Sequence, residues 1–495
     1  MRAWDDAAIR DRGIPQRVLM ETAGRGVAAV VQRLYPHGRV AAAAGSGNNG
    51  GDAMVALRVL ASWGREVVAV QAGSSPPDAA LLHGWMVDVR PADDAADAFR
   101  GAGVILDGVL GTGSTGAPRG ASAGVIGAMN AAGLPIVALD GPSGIDLTTG
   151  AAAGIAVRAE VTVTFGAPKR GLLLFPGREH AGRILAAEIG FHPADAGSDT
   201  ARLITPAWAR AHLPAVSPGA HKGTLGLVSV VAGRSGMAGA AVLCGWGALR
   251  AGAGKVRVSS DAENRAIVQT ALPEALFADR SAGGAAEALA DSQAVVAGAG
   301  MGTSGEDLAF LRAVVGHGDS PLLLDADAVT LLARNPGLRD AIHRPLLLTP
   351  HPGEMARLLS IDTKGVVADP FAAAEQAAER FRCAVLLKGA GVSLVAQAGQ
   401  PTLVNVAGHA GVATGGMGDV LGGVAGALMA AGAPPREAAA LALFYAGRAA
   451  QIAGRGRGLL PRDVAEALPF AMMDDGSADG EPLLPGIVLD LHAAY

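Results

Sequence analysis

Apolar residues recur at helical spacing over 14–35, where Ile14, Val18, Leu19, Ala23, Val27, Val30, Val31 and Leu34 share one face. This predicts an amphipathic helix. RVAAAA at 39–44 is instead apolar without a break from Val40, as in a short buried strand, followed by a glycine-rich turn and a helix over about 52–63. The strand pattern returns at 67–70, 104–106, 135–139 and 161–165, with a helical stretch at 122–132. Strands alternating with helices predict a parallel sheet covered on both faces. Such sheets bind ligands outside the carboxyl ends of their strands. The turn after Ala44, Asp107 and Asp140 all fall at that edge.

The rhythm breaks at 192–219, where HPADAGSD and the three prolines of PAWARAHLPAVSP have linker composition. It resumes with strands at 225–231, 255–259, 294–297, 322–324, 346–348, 384–387 and 392–395, then a helix from about 419. No short-period repeat is visible. From about 471 the acidic, Gly/Pro-containing tail MMDDGSADGEPLLPG predicts a loose terminus.

A chain of 495 residues accommodates two to four domains. Half of them are hydrophobic and 17% charged, which excludes a wholly disordered chain. A net charge of −5 argues against a nucleic-acid partner. Cys244 and Cys383 are too few and too far apart for a disulfide scaffold or a cysteine zinc site. The 71 glycines show no three-residue period, and five lysines against 35 arginines indicate compositional bias. Mean hydropathy is +0.33, yet the longest stretch without Asp, Glu, Lys or Arg, 389–418, is broken by glycines and carries Gln397, Gln400, Pro401 and Asn405. It would span a membrane poorly. The start carries Asp5, Asp6, Arg10, Asp11 and Arg12 with no apolar leader behind them. A cytoplasmic protein with no membrane partner is expected.

GSGNNG at 45–50 fits G-x-G-x-x-G between a strand and a helix, where backbone N–H groups and a helix start favour an anion. A ligand-free strand–helix turn fits the motif too. A dinucleotide dehydrogenase would place an acid after the second strand; here stand Gln71 and Ala72. LDGVLGTGSTGAPRG and LDGPSGID put Asp107 and Asp140 at strand ends, positions where Asp is also a common cap or turn former. Their carboxylate, amide and hydroxyl oxygens suit a hard cation.

GNNGGD, DGVLGTG, D-x-PSG-[IL]-D and VTFGAPKRGLLLFPG, after IPQRVLMETAGR, together resemble the NAD(P)H-hydrate epimerase domain over residues 1–200. The resemblance implies a Rossmann-like fold acting on NADHX or NADPHX, nicotinamide nucleotides hydrated at C6. It implies that Asn48, Asn49, Gly50, Gly51 and Asp52, with Gly111, Thr112, Gly113, Ser114, Thr115, Gly116 and Ala117, hold the substrate. Asn49, Asp107 and Ser143 would bind K⁺. Asp140 would contact the hydrated ring as acid/base, since epimerisation needs C6–O cleavage and readdition. Two positions depart from the family. Ala53 replaces the Gly after GGD and is expected to crowd the helix start; Gly141 replaces a bulky apolar residue and is expected to loosen the strand end.

In the second half, TGGMGDVLGG (414–423) is a glycine-rich turn opening a helix, an anion hole suited to a transferring phosphoryl group. Asp419 within it can take a proton from a hydroxyl, or can simply cap the helix. Lys388 in LLKGAG is a nucleotide contact or a solvated strand-end charge. His351 in LTPHPGEM and the carboxylates of DADAV (325–329) also follow strands; the latter hold ligand or Mg²⁺ through water, or cap the next helix. G-x-x-x-x-G-K-[ST], H-R-D and D-F-G are absent, which excludes P-loop and protein-kinase machinery.

HKGTLG, GAGMG, DADAV, LTPHPGE, LLKGAG and GGMGDVLGG, in this order, are similar to the ribokinase-like NAD(P)H-hydrate dehydratases over 206–470. The expected architecture is a Rossmann-like three-layer domain, then a ribokinase-like α/β domain, then a tail at 471–495. The resemblance implies that Ala240, Gly302, His351 and Asp419 contact the S hydrate, and that Lys388, Gly389, Ala390, Gly391, Val392 and Gly418 contact ADP. Asp419 would deprotonate the C6 hydroxyl and ADP would phosphorylate it, with Mg²⁺ neutralising charge. Phosphate would then leave, pushed by the ring nitrogen, giving NAD(P)H, AMP and phosphate. The departures are Met417 inside the anion hole, Val392 for Thr, His409 for Asn and Ala299 for Pro. Homo-oligomer formation stays open. A small-molecule (vitamin) kinase with a fused nucleotide-binding domain shares the G-x-G-D turn but leaves the upstream segments unexplained. A nucleotide-binding protein with a decayed site would bind without turnover.

Overall fold

A computed structural model describes residues 2–73, 79–192, 201–280, 284–389, 391–408, 410–474 and 483–492. The chain divides into two compact units, 1–197 with 480–495, and 198–479.

In the first unit the strands are β1 (Arg39–Ala44), β2 (Val67–Gln71), β3 (Asp88–Arg90), β4 (Ala102–Gly108), β5 (Ile136–Leu139), β6 (Val161–Phe165) and β7 (Arg183–Ala187). They pair in parallel in the order β7-β6-β5-β4-β1-β2-β3. Strand order reverses between β1 and β4, which opens a crevice at their carboxyl ends. β1 is apolar from Val40 to Ala44 because both its faces are covered there. Val40, Ala42 and Ala44 pack toward helices α1 (Gln16–Leu34) and α2 (Asn48–Ser62), whereas Ala41 and Ala43 pack toward α3 (Gly120–Ala131). The result is the three-layer Rossmann-like arrangement.

Two features depart from expectation. The helix after β1 begins at Asn48, not near 52, so the GNNGGD segment is mostly a first helical turn. Glycine is needed there: a Cβ on Gly50 would sit 1.9 Å from the Gly45 carbonyl oxygen. The terminus is not loose throughout. Ile487–Leu491 forms a strand antiparallel to β7. Asp490 ion-pairs with Arg183, and Ile487, Leu483 and Leu484 join the unit's core. The acidic, Gly/Pro-containing run before it concealed a strand whose partner lies some 300 positions earlier.

In the second unit β8 (Arg202–Leu203), β9 (Leu227–Val231), β10 (Lys255–Ser260), β11 (Leu276–Asp279), β12 (Ala294–Ala297), β13 (Leu322–Leu324), β14 (Leu346–Leu348), β15 (Ala384–Leu387), β16 (Ser393–Ala396) and β17 (Leu403–Asn405) form one sheet. Its order is β11-β10-β9-β12-β13-β14-β15-β16-β17-β8, with β16 antiparallel to both neighbours. Helices α4 (Ala238–Arg250) and α7 (Met417–Ala430) pack backbone to backbone: a Cβ on Gly423 would lie 2.0 Å from the Cys244 carbonyl oxygen. Between them in sequence come α5 (Ala326–Arg334) and α6 (Pro352–Leu359). Part of the expected linker is ordered, since β8 pairs with β17 and Thr205 caps a short helix, Pro206–His212. Among the described residues no helix is long and apolar enough to cross a membrane.

Candidate active sites

The crevice of the first unit holds a cavity of about 1080 Å³. Asn48, Asn49 and Asp52 reach it from the start of α2, Gly111, Thr112, Gly113 and Ser114 from the loop after β4, and Asp140 from the end of β5. Gly50 and Gly51 are buried within the first turn of α2 and do not line it; nor do Thr115, Gly116 and Ala117. The chain's first helical segment adds Asp5, Asp6 and Arg10 to the wall. Trp4 packs edge-on against Phe191 and so docks that segment.

Asp107 and Ser143 lie beneath this wall, buried. Asp107 Oδ2 accepts from the Ser143 N–H at 2.8 Å, and Oδ1 accepts from Ser143 Oγ at 2.6 Å and the Val109 N–H at 3.2 Å. The Leu110 N–H donates to Ser143 Oγ at 2.8 Å, while Asn49 Nδ2 donates to the Leu110 carbonyl at 2.8 Å. Asn49 Oδ1 is buried without a hydrogen-bond partner. An orphaned buried oxygen is costly. It also marks this set, all oxygen donors and one carboxyl, as suited to a monovalent cation. Burial pushes the Asp107 carboxyl up to about 6, against the pull of its three hydrogen bonds.

Asp140 has φ +64°, a left-handed conformation that Asp tolerates better than most residues, and its N–H donates to the Val163 carbonyl at 2.8 Å. Its Oδ1 is ion-paired with buried Lys169. The Lys169 ammonium also donates to Thr164 Oγ1 at 2.9 Å and the Phe165 carbonyl at 3.0 Å. Asp5 and Asp52 complete an acidic ring. Burial and then the nearby Asp140 charge raise both carboxyls above the ordinary range, Asp52 strongly. Sequence reasoning missed Lys169 and Asp5. Lysine scarcity was the available signal for Lys169, which lies inside VTFGAPKRG; no motif pointed to Asp5.

The two family departures here are absorbed by their neighbours. A Cβ on Gly108 would come within 2.6 Å of the Ala53 methyl, so glycine at the end of β4 makes room for Ala53. The space above Gly141 is filled by Leu147, whose Cδ2 would lie 2.4 Å from an added Cβ. Neither the expected crowding nor the expected loosening is present.

In the second unit, Gly416 has φ +92° and opens α7, putting Met417, Gly418 and Asp419 in its first turn. The Met417 side chain packs against the unit's core, which leaves its backbone in the turn. Asp419 is pushed up to about 7, first by burial, then by the charges of Asp325 and Asp327, with Lys388 opposing. Lys388 follows β15 and donates to Asp325 Oδ1 at 2.6 Å. A Cβ on Gly418 would lie 3.4 Å from the Lys388 ammonium, so the glycine keeps the lysine close to the helix start. The Gly302 N–H donates to Asp327 Oδ2 at 2.9 Å. Ala240 lies on α4, and its methyl would lie 3.2 Å from a Cβ on Gly300, two residues before Gly302. His351 caps α6: Nδ1 accepts from the Gly353 N–H at 3.0 Å, and Nε2 lies 3.3 Å from Glu354 Oε1. Burial, then Lys388 and Arg357, hold the imidazole below its usual value.

Gly389 donates its N–H to Ser393 Oγ at 3.2 Å, so Ser393 supplies a hydroxyl to the turn in which Val392 lacks one. Gly391 has φ +75° and Val392 is buried. Ala390 and His409 lie outside the described residues. Among the described residues no three His, Cys, Asp or Glu side chains form a metal cage.

The fold and these two sites define a Rossmann-like unit joined to a ribokinase-like one. Residues 16–171 match the family model described as YjeF-related protein N-terminus, and 228–469 match that of NAD(P)H-hydrate dehydratase. The chain is 33% identical to a bifunctional NAD(P)H-hydrate repair enzyme of Moorella thermoacetica, over 95% of each chain. It is 35% identical to the enzyme of that name from Escherichia coli, over 92% of this chain and 89% of that one. An ADP/ATP-dependent NAD(P)H-hydrate dehydratase from Bacillus subtilis, co-crystallised with ATP/Mg²⁺, superposes with a TM-score of 0.50 at 27% identity, covering 55% of this chain and 97% of that one. The chain belongs to the family of bifunctional NAD(P)H-hydrate repair enzymes.

Proposed function

We propose that the two sites act in succession on hydrated nicotinamide nucleotides: the first interconverts the R and S epimers of NADHX or NADPHX, and the second dehydrates the S epimer with ADP. The observation that carries this reading is Asp419, a carboxyl pushed up to about 7 at a glycine-rich helix start, beside Lys388. A group poised near neutrality can take the C6 hydroxyl proton and still exist as a base at working pH. The oxygen then attacks the terminal phosphorus of ADP, and AMP departs. The N–H groups of Gly415, Gly416 and Gly418 would face the charge that develops on the moving phosphoryl, while that of Met417 donates to the Thr414 carbonyl. Lys388, with Gly389, Ala390, Gly391, Val392 and Gly418, would hold the nucleotide; Ala240, Gly302 and His351 would hold the S hydrate. The C6–O bond breaks as the ring nitrogen lone pair expels phosphate. Loss of a C5 proton then restores the dihydronicotinamide.

Asp325 and Asp327 are the carboxylates available to a Mg²⁺ ion that arrives with the nucleotide, where it neutralises phosphate charge. In the first unit Asn48, Asn49 and Asp52 with the 111–117 loop would hold the substrate, and Asp140 would exchange the proton as C6–O cleaves and re-forms. Asn49, Asp107 and Ser143 would hold K⁺, which offsets the buried carboxylate and braces the loop. We place the activity in the cytoplasm, with its nucleotide substrates.

The test is NADPH absorbance after mixing the chain with both NADPHX epimers, ADP, Mg²⁺ and K⁺. Full conversion of both is expected. Conversion of the S share alone, with the rest no faster than spontaneous epimerisation, removes the first activity. No NADPH at all removes the second and favours a kinase with another substrate.

A further inference from the structure

We infer that Lys169 is a positioning residue for the first site: it pins one oxygen of Asp140 and leaves the other open to the cavity for proton exchange. This deepens the epimerase reading and rests on it.

An ammonium has three N–H donors. Those of Lys169 meet Asp140 Oδ1, Thr164 Oγ1 and the Phe165 carbonyl, so none remains for a substrate. Lys169 therefore acts through Asp140. Oδ1 of Asp140 also accepts the Phe165 N–H at 3.4 Å. Oδ2 accepts no hydrogen bond from the described residues, although Asp140 lines the cavity. The backbone beneath is held by the N–H bond to Val163 and by the left-handed turn at Asp140. The carboxyl thus has one fixed oxygen and one open oxygen.

The charges around it explain why a cation is needed. Asp5 from the first helical segment and Asp52 from α2 face the same carboxyl, with Asp6, Arg10 and Arg119 further along the wall. Without Lys169, three carboxyls would share one cavity with no buried counter-charge, and nothing buried but the Phe165 N–H would hold Oδ1 in place. In the cycle, Oδ2 passes a proton to the C6 oxygen as the ring nitrogen lone pair forms C=N⁺ and water departs. Water then adds to the opposite face of C6 and gives its proton to cavity water, which returns one to Oδ2.

The test follows R-to-S conversion of NADPHX by chromatography in the full chain, with ADP omitted so that dehydration is silent, over a series of NADPHX concentrations. Lys169→Met is expected to lose roughly tenfold or more in kcat with KM changed less than about twofold. Lys169→Arg, which keeps a cation beside Asp140, is expected to recover part of that kcat. A Lys169→Met protein with unchanged kcat, or one whose KM rises as much as its kcat falls, overturns the inference. If Lys169→Met does not fold, Thr164→Val decides, since it removes one acceptor of the ammonium: a lower kcat at unchanged KM supports the inference, and an unchanged kcat overturns it. A wild-type chain that fails to accelerate interconversion overturns the epimerase reading itself, a separate outcome.

Discussion

Replacing Lys388 by Met tests the second site at its base. In the intact chain Asp419 stands at about 7, because burial and Asp325 raise it and Lys388 opposes them. The ionised fraction is then roughly a tenth at pH 6, half at pH 7 and nine-tenths at pH 8. An opposite charge at close range lowers a carboxyl by roughly one to three units. Because Asp325 already shares the ammonium at 2.6 Å, the lower end applies, and losing Lys388 should raise the midpoint by about one unit. A higher midpoint means less base at a given pH, so the loss falls below the midpoint and is recovered above it. The expected result is a loss in kcat of roughly fivefold at pH 7 that nearly vanishes by about pH 9. The assay is NADPH formation from S-NADPHX at saturating ADP and Mg²⁺. An equal loss at every pH would mean that Lys388 serves only the nucleotide. A wild-type rate flat from pH 6 to 8 would refute Asp419 as a base near neutrality.

Truncation after residue 479 removes Ile487 from the first unit's core and the Arg183–Asp490 pair from its edge; the apolar part alone is about 1.5–3 kcal/mol. Thermal melting should show a destabilised first unit, while dehydration of the S epimer persists. Gly50→Ala, whose Cβ would sit 1.9 Å from the Gly45 carbonyl oxygen, should abolish epimerisation and spare dehydration in the same preparation. Asn49→Ala removes the orphaned buried oxygen; comparing epimerisation rates in K⁺ and in tetramethylammonium should show the K⁺ stimulation gone. Ser393→Ala frees the Gly389 N–H and should raise the KM for ADP severalfold at unchanged kcat, read from initial rates over an ADP series.

The strands of both units were legible because buried parallel strands are short apolar runs: 161–165, 294–297, 322–324, 346–348 and 384–387 were read to the residue. The glycine-rich turns and strand-end carboxylates were legible as well, since phosphate binding and proton transfer demand particular residue types. What stayed hidden depends on long-range pairing. β3 is Asp88, Val89 and Arg90, two charged residues around one valine and largely exposed, and the terminal strand follows an acidic, Gly/Pro-containing stretch; each is a strand only because an edge is there to receive it. GNNGGD looked like a loop by composition, yet it forms the start of α2, where Gly50 approaches Gly45 closely. Ala53, Gly141 and Met417 looked like faults in isolation, and are accommodated by Gly108, Leu147 and the second core.

Residue type and order along the chain thus carried the fold class and pointed to the strand-end acids proposed for the chemistry. Tertiary structure alone decided which groups share a cavity. Asp5, Asp52, Asp140 and Lys169 come from four separate segments, and burial with the neighbouring Asp140 charge raises the carboxyls of Asp5 and Asp52. Those are properties of distance in space, which spacing along the chain does not encode.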